Sequence, residues 1–93
     1  MSSMLRRFIG EFVTVKAFGE CYTGRLMGFD SGFLCIQQFN PDGSHKCFAA
    51  QPLVELVRLE FGGDSEQEER LRVEFYRNTK KQIESIFNDS TTA

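Results

Sequence analysis

Side chains that could bind metal or act as nucleophiles are few and widely spaced in this chain. Cys21, Cys35 and Cys47 form no Cys-x-x-Cys pair, and the single histidine, His45, has no partner at zinc-site spacing. The sequence carries no Ser-His-Asp or Cys-His arrangement and no glycine-rich phosphate loop. We therefore expect no catalytic residue, no metal, no cofactor and no small-molecule substrate. The expected activity is the binding of macromolecular partners.

The balance of charge argues against strong, non-specific binding to phosphate. Lys and Arg number 11, against 13 Asp and Glu, for a formal net charge of −2. Affinity from counterion release needs clustered cations, which this composition lacks. Local basic positions remain at Arg6, Arg7, Lys16, Arg25 and Lys46, so a restricted contact with nucleic acid stays open.

Phenylalanine is the most unusual feature of the composition. The chain has ten Phe, two Tyr and no Trp among 93 residues. Each such ring carries roughly 150–250 Å² of surface, which a domain of this size has difficulty covering completely. Either the core is unusually rich in Phe, or some rings lie at an interface with another subunit.

The remaining composition predicts one soluble domain. Hydrophobic residues make up 41% and charged residues 26%, which is ordinary for a globular protein. The apolar runs are too short to span a membrane, and the first residues lack the apolar stretch of a secretory signal. An odd number of distant cysteines fits a reducing compartment. We expect a cytoplasmic protein without a membrane partner, with a nuclear location also open if the host is a eukaryote.

Apolar periodicity predicts a short helix, five strands and a long helix. Residues 3–9 place Leu5, Phe8 and Ile9 on one helical face, and Gly10 ends that helix. Alternation of side chains then predicts strands over 11–18, 21–30, 33–39, 45–49 and 54–61.

Glycines and turn residues predict how the strands are bent and joined. Gly24 and Gly28 lie inside the second strand and indicate a bulge, a sharp bend or a close backbone approach. The clearest turn signal is Asn40-Pro41-Asp42-Gly43, which predicts a hairpin between the third and fourth strands.

A hinge at Gly62-Gly63 leads into the C-terminal helix. Capping boxes are predicted for Asp64 with Gln67 and for Ser65 with Glu68. An apolar stripe recurs at every fourth position, and it must be buried either on the protein's own sheet or on a partner. The stripe consists of Leu71, Phe75, Thr79, Ile83 and Phe87. The predicted organisation is therefore a domain over 1–62, a helix over 63–88 and a frayed tail over 89–93.

One run of residues resembles the first Sm motif of Sm and LSm proteins. It is Gly24-Arg25-Leu26-Met27-Gly28-Phe29-Asp30, preceded by Val13-x-Val15, Gly19 and Tyr22 and followed by Phe33. The resemblance covers residues 5–36 in register. It implies a mainly β fold, a small Sm-like barrel with an N-terminal helix, a five-stranded, strongly bent antiparallel sheet and an added C-terminal amphipathic helix.

The chain departs from the family pattern where Sm proteins hold a uracil base. Leu34 stands at the position of an asparagine that contacts the base, and Ala49 and Ala50 stand where the second Sm motif has an Arg-Gly pair. Leucine offers no hydrogen bond to a uracil edge, and alanine offers no plane for stacking. The usual uridine pocket is therefore not expected. The residues left for contact with RNA around a pore are Arg25, Phe33, Lys46 and Gln51.

The resemblance also implies assembly through sheet edges, because Sm-like domains pair strand four of one barrel with strand five of the next. The predicted interface residues are Lys46, Cys47, Phe48, Val54, Leu56, Arg58 and Phe61. The expected partners are other Sm-like subunits, in a homo- or hetero-oligomer. The run 38–44 is similar to a hairpin in the Gemin-type Sm-like subunits of the survival-motor-neuron complex.

Three functions are compatible with these observations. The leading one is a non-catalytic Sm-like subunit for RNA-protein assembly or RNA metabolism. The alternative is a self-assembled ring, of prokaryotic, phage or archaeal type, that binds single-stranded RNA directly. The third is a small barrel with an unrelated accessory role.

Overall fold

The structure is mainly β, as predicted, with a helix at each end of the chain. It is a computed structural model that describes the backbone of residues 2–92 and the side chains of residues 4–88. The elements are α1 (Ser2–Arg6), β1 (Phe12–Ala17), β2 (Glu20–Asp30), β3 (Phe33–Phe39), β4 (His45–Pro52), a 3₁₀ turn (Leu53–Glu55), β5 (Leu56–Phe61) and α2 (Asp64–Thr92).

All five strands belong to one antiparallel sheet with the order β4-β3-β2-β1-β5. Each strand follows its neighbour by a short connection except β5, which returns to lie beside β1. No pairing joins β4 to β5 within the described chain, so the sheet is open and these two strands are its edges. The predicted five-stranded sheet is confirmed, but closure into a barrel is not.

One face of the sheet, the inner face, holds the hydrophobic core. Its fully buried members come from the first three strands and are Val13, Val15, Leu26, Leu34 and Ile36. Aromatic and aliphatic side chains from α1, β2, β5 and the 3₁₀ turn pack around them, including Phe8, Tyr22, Phe29 and Phe61. Strand alternation places the other residues of β1–β3, such as Phe12, Arg25 and Phe39, on the opposite, outer face.

The two glycines of β2 have different structural roles. A Cβ on Gly24 would overlap the backbone carbonyl of Gln37 on β3, so only glycine allows this close approach of the two strands. Gly28 has open space around it and lies at a register shift between β2 and β3. This register shift fits the bulge, one of the three alternatives that the sequence left open for Gly24 and Gly28.

The N-terminal helix is shorter than predicted. It ends at Arg6, and the chain continues to Ile9 through turns in which each N–H bonds the carbonyl three residues back. Phe8 stacks on Phe61 with ring centroids 3.9 Å apart, as expected for a core-facing residue. The prediction for Ile9 was wrong, because the tight turn before Gly10 leaves its side chain exposed.

The fourth and fifth strands differ from prediction at their shared boundary. β4 extends to Pro52 instead of ending at residue 49, because proline is tolerated where its missing N–H would point away from the sheet. Residues Leu53–Glu55 form a 3₁₀ turn, so β5 begins at Leu56 and not at Val54.

Helix α2 packs across the outer face of the sheet. Val73 is its buried apolar residue, and Glu66 and Glu69 are also buried on this side. The cap differs from the two predicted boxes: the Gly63 N–H donates to Glu66 Oε1 at 3.2 Å, and the Gln67 N–H donates to the Gly63 carbonyl at 3.2 Å. The hinge glycine thus caps the helix itself.

The apolar stripe of α2 does not pack on the sheet. Leu71, Phe75, Ile83 and Phe87 are all exposed, so the protein's own sheet does not bury them. The predicted frayed tail, residues 89–93, consists of residues whose side chains all lie outside the described part, and it stays a prediction. No helix in that part combines the length and apolar character needed to cross a bilayer.

Candidate functional site

The β4 edge presents backbone groups that no strand of the described chain pairs. The Leu53 N–H donates to the Gly32 carbonyl at 2.9 Å, which makes the pair Phe33 and Pro52 a non-hydrogen-bonded pair of the antiparallel ladder. Alternation along the strand then directs the N–H and C=O of Ala50 and Phe48 away from β3.

Side chains along β4 leave this edge accessible. Phe48 is 58% exposed, and its ring lies 4.8 Å from the ring of His45. Lys46 is exposed, whereas Cys47 is half-buried and its Sγ donates to Gln38 Oε1 at 3.2 Å. Of the three predicted interface residues on this strand, Phe48 and Lys46 are therefore available to a partner.

The remaining predicted interface residues lie on β5, except Val54, which lies in the 3₁₀ turn before it, and only some of them are exposed. Val54 is 90% exposed, and Arg58 is exposed with its Nε 3.1 Å from Glu60 Oε2. Leu56 and Phe61 instead pack against the inner core, because they lie on the buried face of the strand. Val57 was not among the predicted interface residues, yet its side chain is exposed on β5.

Arg25, a predicted RNA contact, lies on the outer face between neighbouring strands. Its guanidinium carbon is 5.1 Å from the centroid of the Phe12 ring, a cation–π arrangement. Its Nε is buried and has no hydrogen-bond partner. This side chain is engaged with its own sheet.

Gln51, the second predicted RNA contact, is only 4% exposed. The Tyr22 hydroxyl donates to Gln51 Oε1 at 2.8 Å, and Gln51 Nε2 donates to the Pro52 carbonyl at 3.1 Å. Burial, with a smaller effect of the nearby Glu20 charge, raises the pKa of Tyr22 above its ordinary value of 10.0. Both polar ends of Gln51 are therefore satisfied inside the protein.

Phe33 and Lys46 are the two predicted RNA contacts that remain exposed. Phe33 lines a groove of about 440 Å³ together with Met27 and Cys35. It pairs with Pro52, next to the pair of Leu34 and Gln51, so strand alternation turns it to the face opposite Gln51. The four predicted RNA contacts are thus not brought together into one pocket.

The β3–β4 hairpin reaches α2, a contact that the sequence did not indicate. A Cβ on Gly43 would overlap the carbonyl of Arg72 and lie 3.0 Å from Tyr76 Cβ, so the hairpin backbone touches the helix directly. A groove of about 600 Å³ opens beside this contact. It is lined by Pro41, Asp42, Leu71, Arg72, Glu74, Phe75 and Asn78.

Hydrogen bonds within the hairpin hold its shape. Asp42 Oδ1 accepts from the Ser44 hydroxyl at 2.6 Å and from the Ser44 N–H at 2.9 Å. These two bonds lower the pKa of Asp42 below its ordinary value of 3.8. The Asp-Gly signal predicted the turn, but not its position against the helix.

No cluster of three or more metal-ligating side chains occurs among the described residues. Comparison of the chain with protein-family models, curated proteins and solved structures finds no significant match. The resemblance to Sm and LSm proteins therefore stays a prediction from the sequence motif.

Proposed function

We propose that this protein is a non-catalytic Sm-like subunit that assembles by pairing its β4 edge with the β5 edge of a neighbour. The observation that carries the proposal is the strand order, which leaves β4 and β5 as the two edges of one antiparallel sheet. These are the strands by which Sm-like domains associate. The outward N–H and C=O groups of Phe48 and Ala50 supply the hydrogen bonds for such a pairing.

The proposal includes a curved sheet that approaches a barrel. Register shifts in β1–β5, β2–β3 and β3–β4 supply local bends, and side chains from β1, β2, β3 and β5 share one inner core. Curling around that core leaves β4 and β5 as two separate edges, because no strand pairs them with each other in the described chain. Each subunit then offers one edge to each neighbour.

We place this subunit in RNA-protein assembly or RNA metabolism, with RNA held mainly by its neighbours. The support is the loss of free base-binding groups: Leu34 is fully buried, Gln51 is satisfied internally, and Arg25 is engaged with Phe12. A subunit that keeps its edges but offers no uridine pocket contributes protein contacts to the assembly.

Two proline variants test the pairing of edges. Ala50→Pro removes an N–H that points away from β3, whereas Ala49→Pro removes one from the β3–β4 ladder itself. We expect the wild-type protein to sediment as an oligomer, alone or with purified Sm-like subunits. Ala50→Pro should keep the circular dichroism of the fold but lose the association made through the β4 edge, and Ala49→Pro should lose the fold. A wild-type protein that stays monomeric in every mixture would falsify the proposal.

Direct binding of single-stranded RNA is the second candidate, and the exposed ring of Phe33 is the observation that favours it. Filter binding to oligo-U and oligo-A at two salt concentrations measures it. Sub-micromolar affinity that falls with salt and is lost in Phe33→Ala would support a ring that binds RNA itself. Equal binding by wild type and Phe33→Ala would rule out stacking on this residue.

A further inference from the structure

We propose that the cavity between the β3–β4 hairpin and α2 binds the phosphate group of a nucleotide, whose base stacks on the exposed ring of Phe48. His45, Arg77 and Lys80, which line this cavity, supply the positive charge. The site uses none of the positions at which Sm proteins hold a uracil base, and it needs no pairing of sheet edges. The inference therefore goes beyond the function proposed above and is independent of it.

The first support is the face of α2 that turns toward the sheet. Val73, Arg77 and Lys80 are three, four and seven residues apart, so they share one face of the helix. Val73 is buried on this face, and Arg77 and Lys80 line the same cavity as His45 of β4. The fold thus gathers at one cavity basic side chains from two elements that are distant in the sequence.

The second support is that these charges lack acidic partners. None of the ion pairs among the described residues involves Arg77 or Lys80, and no carboxylate lines the cavity. Asp42 of the hairpin lines a different groove and accepts hydrogen bonds from Ser44. Residues 75–83 include three cationic side chains and no acidic one, although the net charge of the chain is −2. The complementary ligand is therefore an anion.

The third support is a set of hydrogen-bond donors beside the cations. Gln37 Nε2 lies 3.0 Å from His45 Nδ1. Because an amide N–H₂ group only donates, Nδ1 accepts this bond, and a neutral His45 ring carries its proton on Nε2. The half-buried Tyr76 side chain also lines the cavity. Guanidinium, ammonium and phenol groups are among the donors that proteins present to phosphate oxygens.

The walls of the cavity are held by a close contact between two backbones. A Cβ on Gly43 would overlap the carbonyl of Arg72, so the hairpin touches the helix directly. Gly43 and Val73 are both buried and both line the cavity. The site is therefore formed before a ligand arrives, which lowers the entropic cost of binding.

The size of the cavity and the position of Phe48 favour a nucleotide over free phosphate. The cavity measures about 210 Å³, below the ~300–1,000 Å³ of pockets that enclose a drug-sized ligand. It therefore suits a phosphate group, with the rest of the ligand outside. The Phe48 ring is 58% exposed and lies 4.8 Å from the His45 ring, so it offers a stacking surface beside the charged site. Stacking on an aromatic ring accepts any base.

Two-dimensional NMR of the backbone amides tests the site with three probes, which are adenosine monophosphate, inorganic phosphate and adenosine. We expect adenosine monophosphate to shift the amides of Gly43, His45, Phe48 and Lys80. The dissociation constant should be at least five-fold higher for inorganic phosphate and at least ten-fold higher for adenosine. Equal affinities for inorganic phosphate and adenosine monophosphate would overturn the assignment of a nucleotide. No shift at these amides with any probe would overturn the site itself.

Two neighbouring lysines provide a matched pair of variants. Lys80→Gln removes a cation that lines the cavity, whereas Lys81→Gln removes the same charge one position further on, outside the lining. Both side chains are exposed, so both variants should keep the fold. We expect Lys80→Gln to raise the dissociation constant of adenosine monophosphate at least five-fold and Lys81→Gln to raise it less than two-fold. Equal losses would mean that general attraction holds the phosphate, and the inference would fall.

A short RNA distinguishes the two sources of such a ligand. Hexa-adenylate is titrated into wild type, Lys80→Gln and Lys81→Gln in the same way. If the site takes a nucleotide of an RNA strand, hexa-adenylate shifts the same amides with at least ten-fold higher affinity than adenosine monophosphate and is weakened by Lys80→Gln. If the two ligands bind with equal affinity, the site takes a free nucleotide. RNA binding that Lys80→Gln leaves unchanged would place the RNA elsewhere and contradict a strand in this cavity.

Discussion

The inner face of the sheet and helix α2 differ in the side chains that they bury. On the inner face, Val13, Leu26 and Ile36 are completely buried. Helix α2 buries Val73 together with Glu66 and Glu69, and it leaves its largest apolar side chains exposed to solvent. The difference teaches that an apolar pattern identifies the surfaces that need covering, but it does not say which molecule covers them.

The largest effect expected from this comparison is on the core. Leu26→Ala should lower the free energy of unfolding by about 2–5 kcal/mol, because it removes a fully buried side chain and leaves a cavity. Leu71→Ala, the same change on the exposed apolar stripe of α2, should alter the free energy of unfolding by less than ~0.5 kcal/mol. Urea unfolding at low protein concentration measures the free energy for both variants. Equal losses of stability would mean that the stripe is buried within the monomer.

A smaller loss is expected where the hairpin meets the helix. Gly43→Ala should cost about 2–3 kcal/mol, because φ is +95° and the added Cβ would overlap the Arg72 carbonyl. Gly32→Ala is the matched control, since its φ is +82° but nothing lies within 4 Å of the added Cβ. It should cost only about 1 kcal/mol. If thermal unfolding gave the same loss for both, the hairpin would not be held against α2.

The buried hydrogen bond of Tyr22 should contribute less still. Tyr22→Phe should cost about 1–2 kcal/mol at neutral pH, because Gln51 Oε1 loses its donor inside the protein. Folding raises the pKa of Tyr22, so this stabilisation is complete below about pH 10 and is lost as pH rises through the raised value. The gap in stability between wild type and variant should therefore narrow in alkali. A gap that widens above pH 10 would contradict the geometry.

The smallest expected effect is at the exposed hairpin. Because hydrogen bonds to Ser44 lower the pKa of Asp42, its contribution to stability is present above pH 3.8 and is lost as pH falls through the lowered value. A titration of the carboxyl carbon by NMR should show a midpoint below 3.8 in wild type. Ser44→Ala should bring that midpoint back toward 3.8, and an unchanged midpoint would show that the hydrogen bonds do not hold the carboxylate.

Local patterns in the sequence predicted most of the sheet. β3 matches its predicted residues 33–39, and the Asp-Gly hairpin lies where its turn residues indicated. The strand boundaries that were predicted wrongly depend on a strand's position in the sheet. Pro52 would end an interior strand, but at an edge its missing N–H costs nothing, so β4 continues to it.

The candidate site was less predictable, because it depends on contacts between distant residues. Periodicity alone could not show that Gln51 accepts a hydrogen bond from Tyr22, 29 positions away, or that the Arg25 guanidinium lies over the Phe12 ring. The direction of α2 is set by its Gly63 cap and by the hairpin at Arg72, and neither contact is a pattern within the helix. Periodicity identified the apolar stripe, but it left open whether the sheet covers these side chains, which the structure shows to be exposed.

Amide hydrogen exchange at β4 tests the pairing of sheet edges most directly. The N–H groups of Phe48 and Ala50 point away from β3, whereas those of Ala49 and Gln51 belong to pairs bonded within the sheet and serve as internal references. In the assembled protein we predict slow exchange at all four positions, with Phe48 and Ala50 alone becoming fast on dilution. Fast exchange at Phe48 and Ala50 in the assembled protein would show that its subunits associate without this edge.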